Sequence, residues 1–288
     1  MFAVTGITGK VGAAVARSLL SADQPVRAVV RDRSRSAPWA KLGCDIAVAD
    51  LSDTEALAAA FAGTAGVFAM VPPVFDPAPG FPEAMGFINP LRAALARAKP
   101  AKVVALSSVG ADAPQPNLLN VLGRMEVALG SLQMPVAFLR AAWFMENAAW
   151  DIDAAKRGLM RSYLQPLDRA VPMVSTDDVG RAAAALLQER WEGKRVVELE
   201  GPQRVSPNAL AAAFAKALGT PVRAEIVPRE QWESIFRGQG MKNPGPRIQM
   251  IEGFNAGWID FADRGAHARK GSVRIEQAVT TLIRGQRT

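Results

Sequence analysis

Three glycines in the spacing G-x-x-G-x-x-G, Gly6, Gly9 and Gly12, stand where the first apolar run, Phe2-Ala3-Val4, gives way to an amphipathic stretch. Each has a physical task. Gly6 permits a tight turn out of a strand, Gly9 lets backbone approach a diphosphate, and Gly12 lets a helix pack closely on a sheet. Thr8, Lys10 and Val11 belong to the same cradle. The helix that starts there offers free N–H groups and a partial positive charge to an anion. A glycine triplet alone is weak evidence, but at the first strand–helix junction of a βαβ series it specifies a dinucleotide-binding turn.

Such a series is present. Strand-like runs occur at 2–4, 26–30, 45–49, 67–70, 102–106 and 136–139, separated by helical patterns at 11–20, 54–61, 83–98 and 118–132. This alternation predicts parallel strands joined by right-handed crossovers. Near-continuous apolar strands such as KVVAL and GVFAM fit a sheet covered on both faces. The fold class expected is therefore α/β, a Rossmann-type doubly wound parallel sheet over residues 1–150. Residues 151–288 are expected to form a smaller, mainly helical substrate or partner domain, with about 170–200 returning to the sheet. Within it, 171–175, 196–199 and 221–227 read as strands, a helix starts near Asp178, and 206–218 reads as a helix bounded by Ser206, Pro207 and Gly219. The Pro- and Gly-rich segment 72–90 reads as a loop beside the fourth strand.

Composition narrows the classes. Of 288 residues, 49% are hydrophobic and 21% charged, enough for a substantial core. No apolar run approaches the roughly 18 residues of a membrane span. The opening MFAVTGITG leaves no room for a signal peptide, and the single Cys44 fits a reducing compartment, so the cytoplasm is expected. The net charge of +7 comes largely from Arg and Lys scattered after residue 236, without a continuous basic run. A solvated surface explains it more simply than nucleic-acid binding, and no zinc-finger or helix-turn-helix pattern accompanies it. His267 reads as a surface residue, and no His, Cys or carboxylate cluster has metal-ligand spacing.

The carboxyl ends of the strands carry the candidate site. After the second strand comes Arg31-Asp32-Arg33. An Arg here accommodates the 2′-phosphate of NADP, whereas an acidic residue accepts the ribose hydroxyls of NAD. Arg31 and Arg33 favour NADP(H), with Asp32 leaving NAD(H) as the alternative. Asp50 and Leu51 after the third strand are placed to meet the adenine, unless Asp50 merely starts a turn. Met70, Val71 and Pro72 after the fourth should line the nicotinamide half of the groove. Ser107 and Ser108 end the fifth, where ligands of open α/β folds sit.

Taken together, GITGKVG, VVRD, ADLSD, LSSVGA and Leu139–Asn147 resemble the NmrA-like, atypical branch of the short-chain dehydrogenase/reductase superfamily over about residues 1–200. The segment from Leu139 is similar to that family's LR-P-x-x-F-x-E-N stretch near the nicotinamide, which implies contacts from Ala142, Trp143 and Phe144, with Ala142 replacing the family's Pro. The segment 174–180 is similar to the family's later turn into a helix. The wider superfamily uses a Ser, with Tyr and Lys spaced Y-x-x-x-K. Ser108 matches the serine, but the only tyrosine, Tyr163, is followed four residues later by Leu167. Arg124 stands where many NmrA-like proteins have Lys. It suits ribose hydroxyls but is a poor general acid, and the alternative is a surface charge paired with a neighbour such as Glu126. The resemblance implies an NAD(P)H-dependent reductase of quinone-like or other small electrophilic acceptors, apolar or aromatic, with Ser108 and Arg124 as catalytic candidates. The alternative is a non-catalytic NADP(H) sensor acting through protein partners. Trp143, Trp150, Trp232 and Trp258 are candidates for an apolar cleft, though most suit core packing.

Overall fold

The computed structural model describes residues 1–285. Its first half carries strands β1 (Phe2–Val4), β2 (Val26–Val30), β3 (Asp45–Val48), β4 (Gly66–Ala69), β5 (Val103–Ser108) and β6 (Val136–Ala141). Short strands β7 (Trp143–Phe144), β8 (Leu159–Ser162) and β9 (Met173–Val174) follow, then β10 (Lys194–Glu200), β11 (Arg223–Ile226) and β12 (Arg269–Lys270). Eight of these form one parallel sheet in the order β3-β2-β1-β4-β5-β6-β10-β12. Strand order reverses between β1 and β4, so a crevice opens at their carboxyl ends.

The period of two explains the two cores. Val4, Val30, Phe68, Val104 and Leu139 point to one face, against α1 (Lys10–Leu20) and α7 (Thr176–Gln188). Their neighbours Ala3, Val29, Val67, Val103 and Phe138 point to the other, against α3 (Thr54–Phe61), α4 (Pro82–Ala98) and α5 (Asn120–Gly130). The single turn α2 (Ala37–Lys41) sits between β2 and β3. Side chains cap α3 and α7: the Asp53 carboxylate accepts from the Glu55 and Ala56 amides at 3.0 Å, and Ser175 accepts from Asp178 N–H at 3.0 Å.

After residue 150 the chain does two things. Part returns to the sheet: β10 pairs along β6, β12 along β10, and α7 packs on α1. The rest builds a second layer from α6 (Ile152–Lys156), α8 (Pro207–Leu218), α9 (Trp232–Gly238), α10 (Gly245–Ala256), α11 (Ile275–Gly285) and the β8–β11 pair. That layer has its own core of Trp232, Phe236, Ile248 and Ile251. A part-buried ion pair and a buried carboxylate tie the returning chain down. Arg204 makes a bidentate pair with Asp260 at 2.7 and 2.8 Å, and the Asp178 carboxylate accepts from the Ser272 and Val273 amides at 2.9 and 3.0 Å.

Candidate functional site

At the crevice, the Thr5 hydroxyl stitches β1 to β4: it donates to the Phe68 carbonyl at 3.1 Å and accepts from Met70 N–H at 3.0 Å. Gly6 then takes a left-handed φ of 63°, and its carbonyl accepts from Gly9 N–H at 2.9 Å. A Cβ on Gly12 would fall on that same carbonyl, and one on Gly6 would strike the Met70 thioether. Gly9 is the N-cap of α1, with no side-chain cap and no acidic residue in the first turn. The contrast with α3 and α7 is chemical: those N-termini satisfy their own amides, whereas α1 presents its amides to whatever occupies the crevice. Thr8, Gly9 and Lys10 are exposed beside this mouth, while Val11 and Gly12 are buried beneath it. The Lys10 ammonium reaches across to the Glu146 carbonyl at 3.5 Å.

Beyond β2, Arg31 and Arg33 are exposed. The Asp32 carboxylate turns back on its own loop to accept from Ser34 N–H at 2.8 Å; the Ser34 hydroxyl and then its amide hold it below the usual carboxylate range. Asp50 behaves similarly, taking the hydroxyl of Ser52 at 2.6 Å and its amide at 2.9 Å, so the turn anticipated as the alternative is present. Hydrogen bonds from Ser52 and the nearby Arg31 charge lower its pKa. Leu51, Met70 and Pro72 are half-buried along the groove and Val71 is buried.

The two serines of β5 part company because successive strand residues face opposite ways. Ser107 is buried and donates to Glu126 at 2.6 Å; Arg140 clamps the same carboxylate at 2.9 and 2.6 Å and also meets Asp112 at 2.5 Å. Ser107 therefore has its hydroxyl engaged on the α5 face, a network no local sequence pattern reveals. Ser108 is half-buried, and among the described residues its hydroxyl has no hydrogen-bond partner. Arg124 is exposed and does not pair with Glu126; its guanidinium lies 5.4 Å from the Phe81 ring centre in the loop after β4. Ala142 is buried, donating its N–H to the Leu199 carbonyl at 2.9 Å, and Trp143 and Phe144 are half-buried. Glu146 accepts the Thr176 amide on both carboxylate oxygens at 3.0 Å; its burial still pushes its pKa up.

The second layer reaches over the loops that follow β4 and β5. Asp76, in the loop after β4, accepts from the amides of Lys242 at 2.8 Å and Asn243 at 2.6 Å, and Leu118 N–H donates to the Pro246 carbonyl at 2.9 Å. Trp143 meets Phe254 of α10 edge-to-face at 5.2 Å. At the rim, Phe75 and Trp150 form a T-shaped pair at 6.3 Å while remaining 49% and 66% exposed, a solvent-facing aromatic patch beside the opening. Trp232 is instead fully buried. His267 is exposed, 3.6 Å from Asp263. No group of three or more His, Cys, Asp or Glu among the described residues is arranged to hold a metal.

The model of the NmrA-like family matches residues 1–256. The chain belongs to the NmrA-like family. Among its relatives, the NAD(P)H azoreductase of Xenophilus azovorans is 29% identical over 247 residues, covering 84% of this chain and 82% of that one. A (4-alkanoyl-5-oxo-2,5-dihydrofuran-3-yl)methyl phosphate reductase of Streptomyces griseus is 28% identical over 228 residues, covering 78% and 76%. The NADPH complex of a quinone oxidoreductase from Escherichia coli superposes with a TM-score of 0.81 at 21% identity, over 98% of this chain and all of that one. The Rossmann-type sheet expected from the sequence is the fold observed.

Proposed function

We propose that this chain is an NADPH-dependent reductase of small, flat, electrophilic acceptors of the quinone or azo type. The observation that carries the reading is the uncapped, acid-free N-terminus of α1 under a glycine turn that would be filled by any Cβ at Gly12. The residues present fit a dinucleotide. The amides of the Gly9–Gly12 turn would hold its diphosphate, Arg31 and Arg33 its 2′-phosphate, and Asp50 and Leu51 its adenine, with Met70, Val71, Pro72, Ala142, Trp143 and Phe144 beside the nicotinamide. Asp32, committed to Ser34, leaves the ribose end to the two arginines.

When bound, the reduced cofactor supplies hydride. The protein's part is to position the acceptor, keep the cleft dry and manage one proton. Phe75, Trp143 and Trp150 offer faces on which a planar ring can stack, and the roof held by Asp76 limits water. Ser108, its hydroxyl unengaged, donates a hydrogen bond to the acceptor oxygen or nitrogen. The superfamily's tyrosine acid has no counterpart in the sequence, which restricts the acceptors to those that collect their proton from water or a weak donor; quinones and azo compounds do so. The names of the azoreductase and quinone oxidoreductase relatives support this class.

The test is NADPH consumption by the purified protein with a panel of quinones, azo dyes and nitroaromatics. Turnover with at least one class is expected. Tight NADPH binding without turnover on any acceptor would sink the reductase reading and leave a nucleotide sensor.

A further inference from the structure

Three half-buried polar side chains of the second layer and its approach have no polar side-chain partner among the described residues. Arg247, in the first turn of α10, is half-buried, yet its guanidinium contacts only the Phe236 ring at 4.6 Å and the Met241 thioether at 3.7 Å; among the described residues no carboxylate pairs with it. Desolvation accordingly lowers its pKa. Tyr163 is wedged between Trp232 and Phe236 at 5.7 and 5.1 Å, and its hydroxyl has no hydrogen bond among the described residues. Asp151 follows the rim residue Trp150, is half-buried, and also has no hydrogen-bond partner. Arg247 and Tyr163 are neighbours, since both lie against the Phe236 ring, at 4.6 and 5.1 Å.

A guanidinium carries five donors, and leaving them unmet in a partly dry place is costly. None of these atoms is sealed: the buried side-chain nitrogens and oxygens without partners are Trp191 Nε1 and Arg195 Nε, both elsewhere. The unmet groups therefore open to solvent-accessible space. Position adds to this. Arg247 directly follows Pro246, whose carbonyl is bound to the loop after β5, and lies near Lys242 and Asn243, which are bound to the loop after β4. The arginine thus belongs to the segment that spans the nicotinamide end of the crevice. A nearby hollow of about 500 Å³, lined by Gln165, Trp232, Glu252 and Asn255, offers no comparable charge, because its Arg229 is neutralised by Glu252.

We propose that Arg247 and the Tyr163 hydroxyl form a subsite for an anionic oxygen substituent (carboxylate, sulfonate or phosphate) carried by an otherwise flat, apolar acceptor. Arg247 supplies planar paired donors that match such a group, and Tyr163 adds a third. The Streptomyces griseus relative is named for a phosphate-bearing substrate, which fits this chemistry. The proposal rests on the reductase reading for the identity of its ligand, but its test does not need turnover.

The experiment is equilibrium binding of naphthalene-2-sulfonate and of its neutral isostere naphthalene-2-sulfonamide to the full chain saturated with NADP⁺. Calorimetry is the readout, for wild type, Arg247→Gln, Arg247→Lys and Tyr163→Phe. Wild type should prefer the sulfonate, and Arg247→Gln should cut that preference about tenfold or more, as expected for a charge-assisted contact. Arg247→Lys should retain part of the preference and Tyr163→Phe most of it. If the glutamine variant does not fold, judged by circular dichroism, the lysine and phenylalanine variants decide. Equal binding of both probes to wild type, or a preference indifferent to residue 247, overturns the subsite. Absence of NADPH turnover with every acceptor would count against the reductase reading alone, because the sulfonate preference is measured without it.

Discussion

The carboxylate of Asp32 accepts a hydrogen bond from the backbone N–H of Ser34 at 2.8 Å, turning an acidic residue at the end of β2 into the cap of its own loop. The ribose of NAD is usually read by an acid at this strand end. Here that acid is engaged locally, while Arg31 beside it is exposed and makes no ion pair among the described residues. Arg31→Ala should therefore weaken NADPH by about 1–3 kcal/mol, the value of one charge-assisted contact, and weaken NADH far less. Titration of both nucleotides checks this. Equal losses would remove the basis for preferring NADPH.

The arginines at the end of β2 are visible in the sequence, and so is the sheet. Most strands through β6 were readable because both faces are buried, so each is a short apolar run bounded by Gly, Pro or polar residues; the edge strand β3 is the partly exposed exception. The ends shifted by a residue or two: the expected 102–106 became Val103–Ser108, since the two serines continue the ladder despite their polarity. The expected strand at 171–175 shrank to Met173–Val174, paired with Trp143–Phe144. What the sequence hid depends on distant partners. β8 shows itself only by pairing with β11, and β12 joins the sheet through two charged residues. α10 carries Ile248, Ile251 and Phe254 on one side, but Pro244, Gly245, Pro246 and Gly253 disguise it. At the site, the glycine cradle is local and was legible. The engagement of Ser107 by Glu126, and the meeting of Tyr163 and Arg247 on the Phe236 ring, come from chain crossings that leave no local pattern.

The cradle itself makes a sharp prediction. A Cβ at Gly12 would coincide with the Gly6 carbonyl, so Gly12→Val must push α1 away from the turn that bends at Gly6. On the proposed reading, the first-turn amides then no longer converge on a bound diphosphate. NADPH affinity should fall by about 2 kcal/mol or more, near thirtyfold, with a lower melting temperature for the free protein. Retention of full affinity in calorimetry would show that the diphosphate sits elsewhere.

The Ser107–Glu126–Arg140 network separates structural from chemical roles at the end of β5. The side chains of Arg140 and Glu126 are only 12% and 11% exposed. Glu126 holds the arginine's pKa up. Arg140→Met would strand a nearly buried carboxylate and should cost about 3–5 kcal/mol in denaturant unfolding. Arg140→Met with Glu126→Met removes both charges and should be distinctly milder, because no unpaired ion is left behind. A double variant as unstable as the single one would mean that the pair matters for its shape and not for its charge.

Asp151 carries a prediction in pH. Burial raises its pKa from an ordinary value of 3.8 to about 6, with no hydrogen bond or cation to offset the desolvation. The folded protein thus holds this proton more tightly than the unfolded chain does. The side chain is tolerated best while neutral, at and below about pH 4; its cost grows as pH rises towards 6 and stays constant above that. Two pKa units correspond to about 3 kcal/mol as an upper bound, and the group's partial contact with water reduces that to roughly 1–2 kcal/mol. Asp151→Asn, which keeps the shape and removes the ionisation, should be more stable than wild type at pH 8 by that amount and indistinguishable from it near pH 4. Thermal melts of the two proteins across this range decide the matter. A constant difference at every pH would show that Asp151 ionises as freely in the folded chain as in the unfolded one.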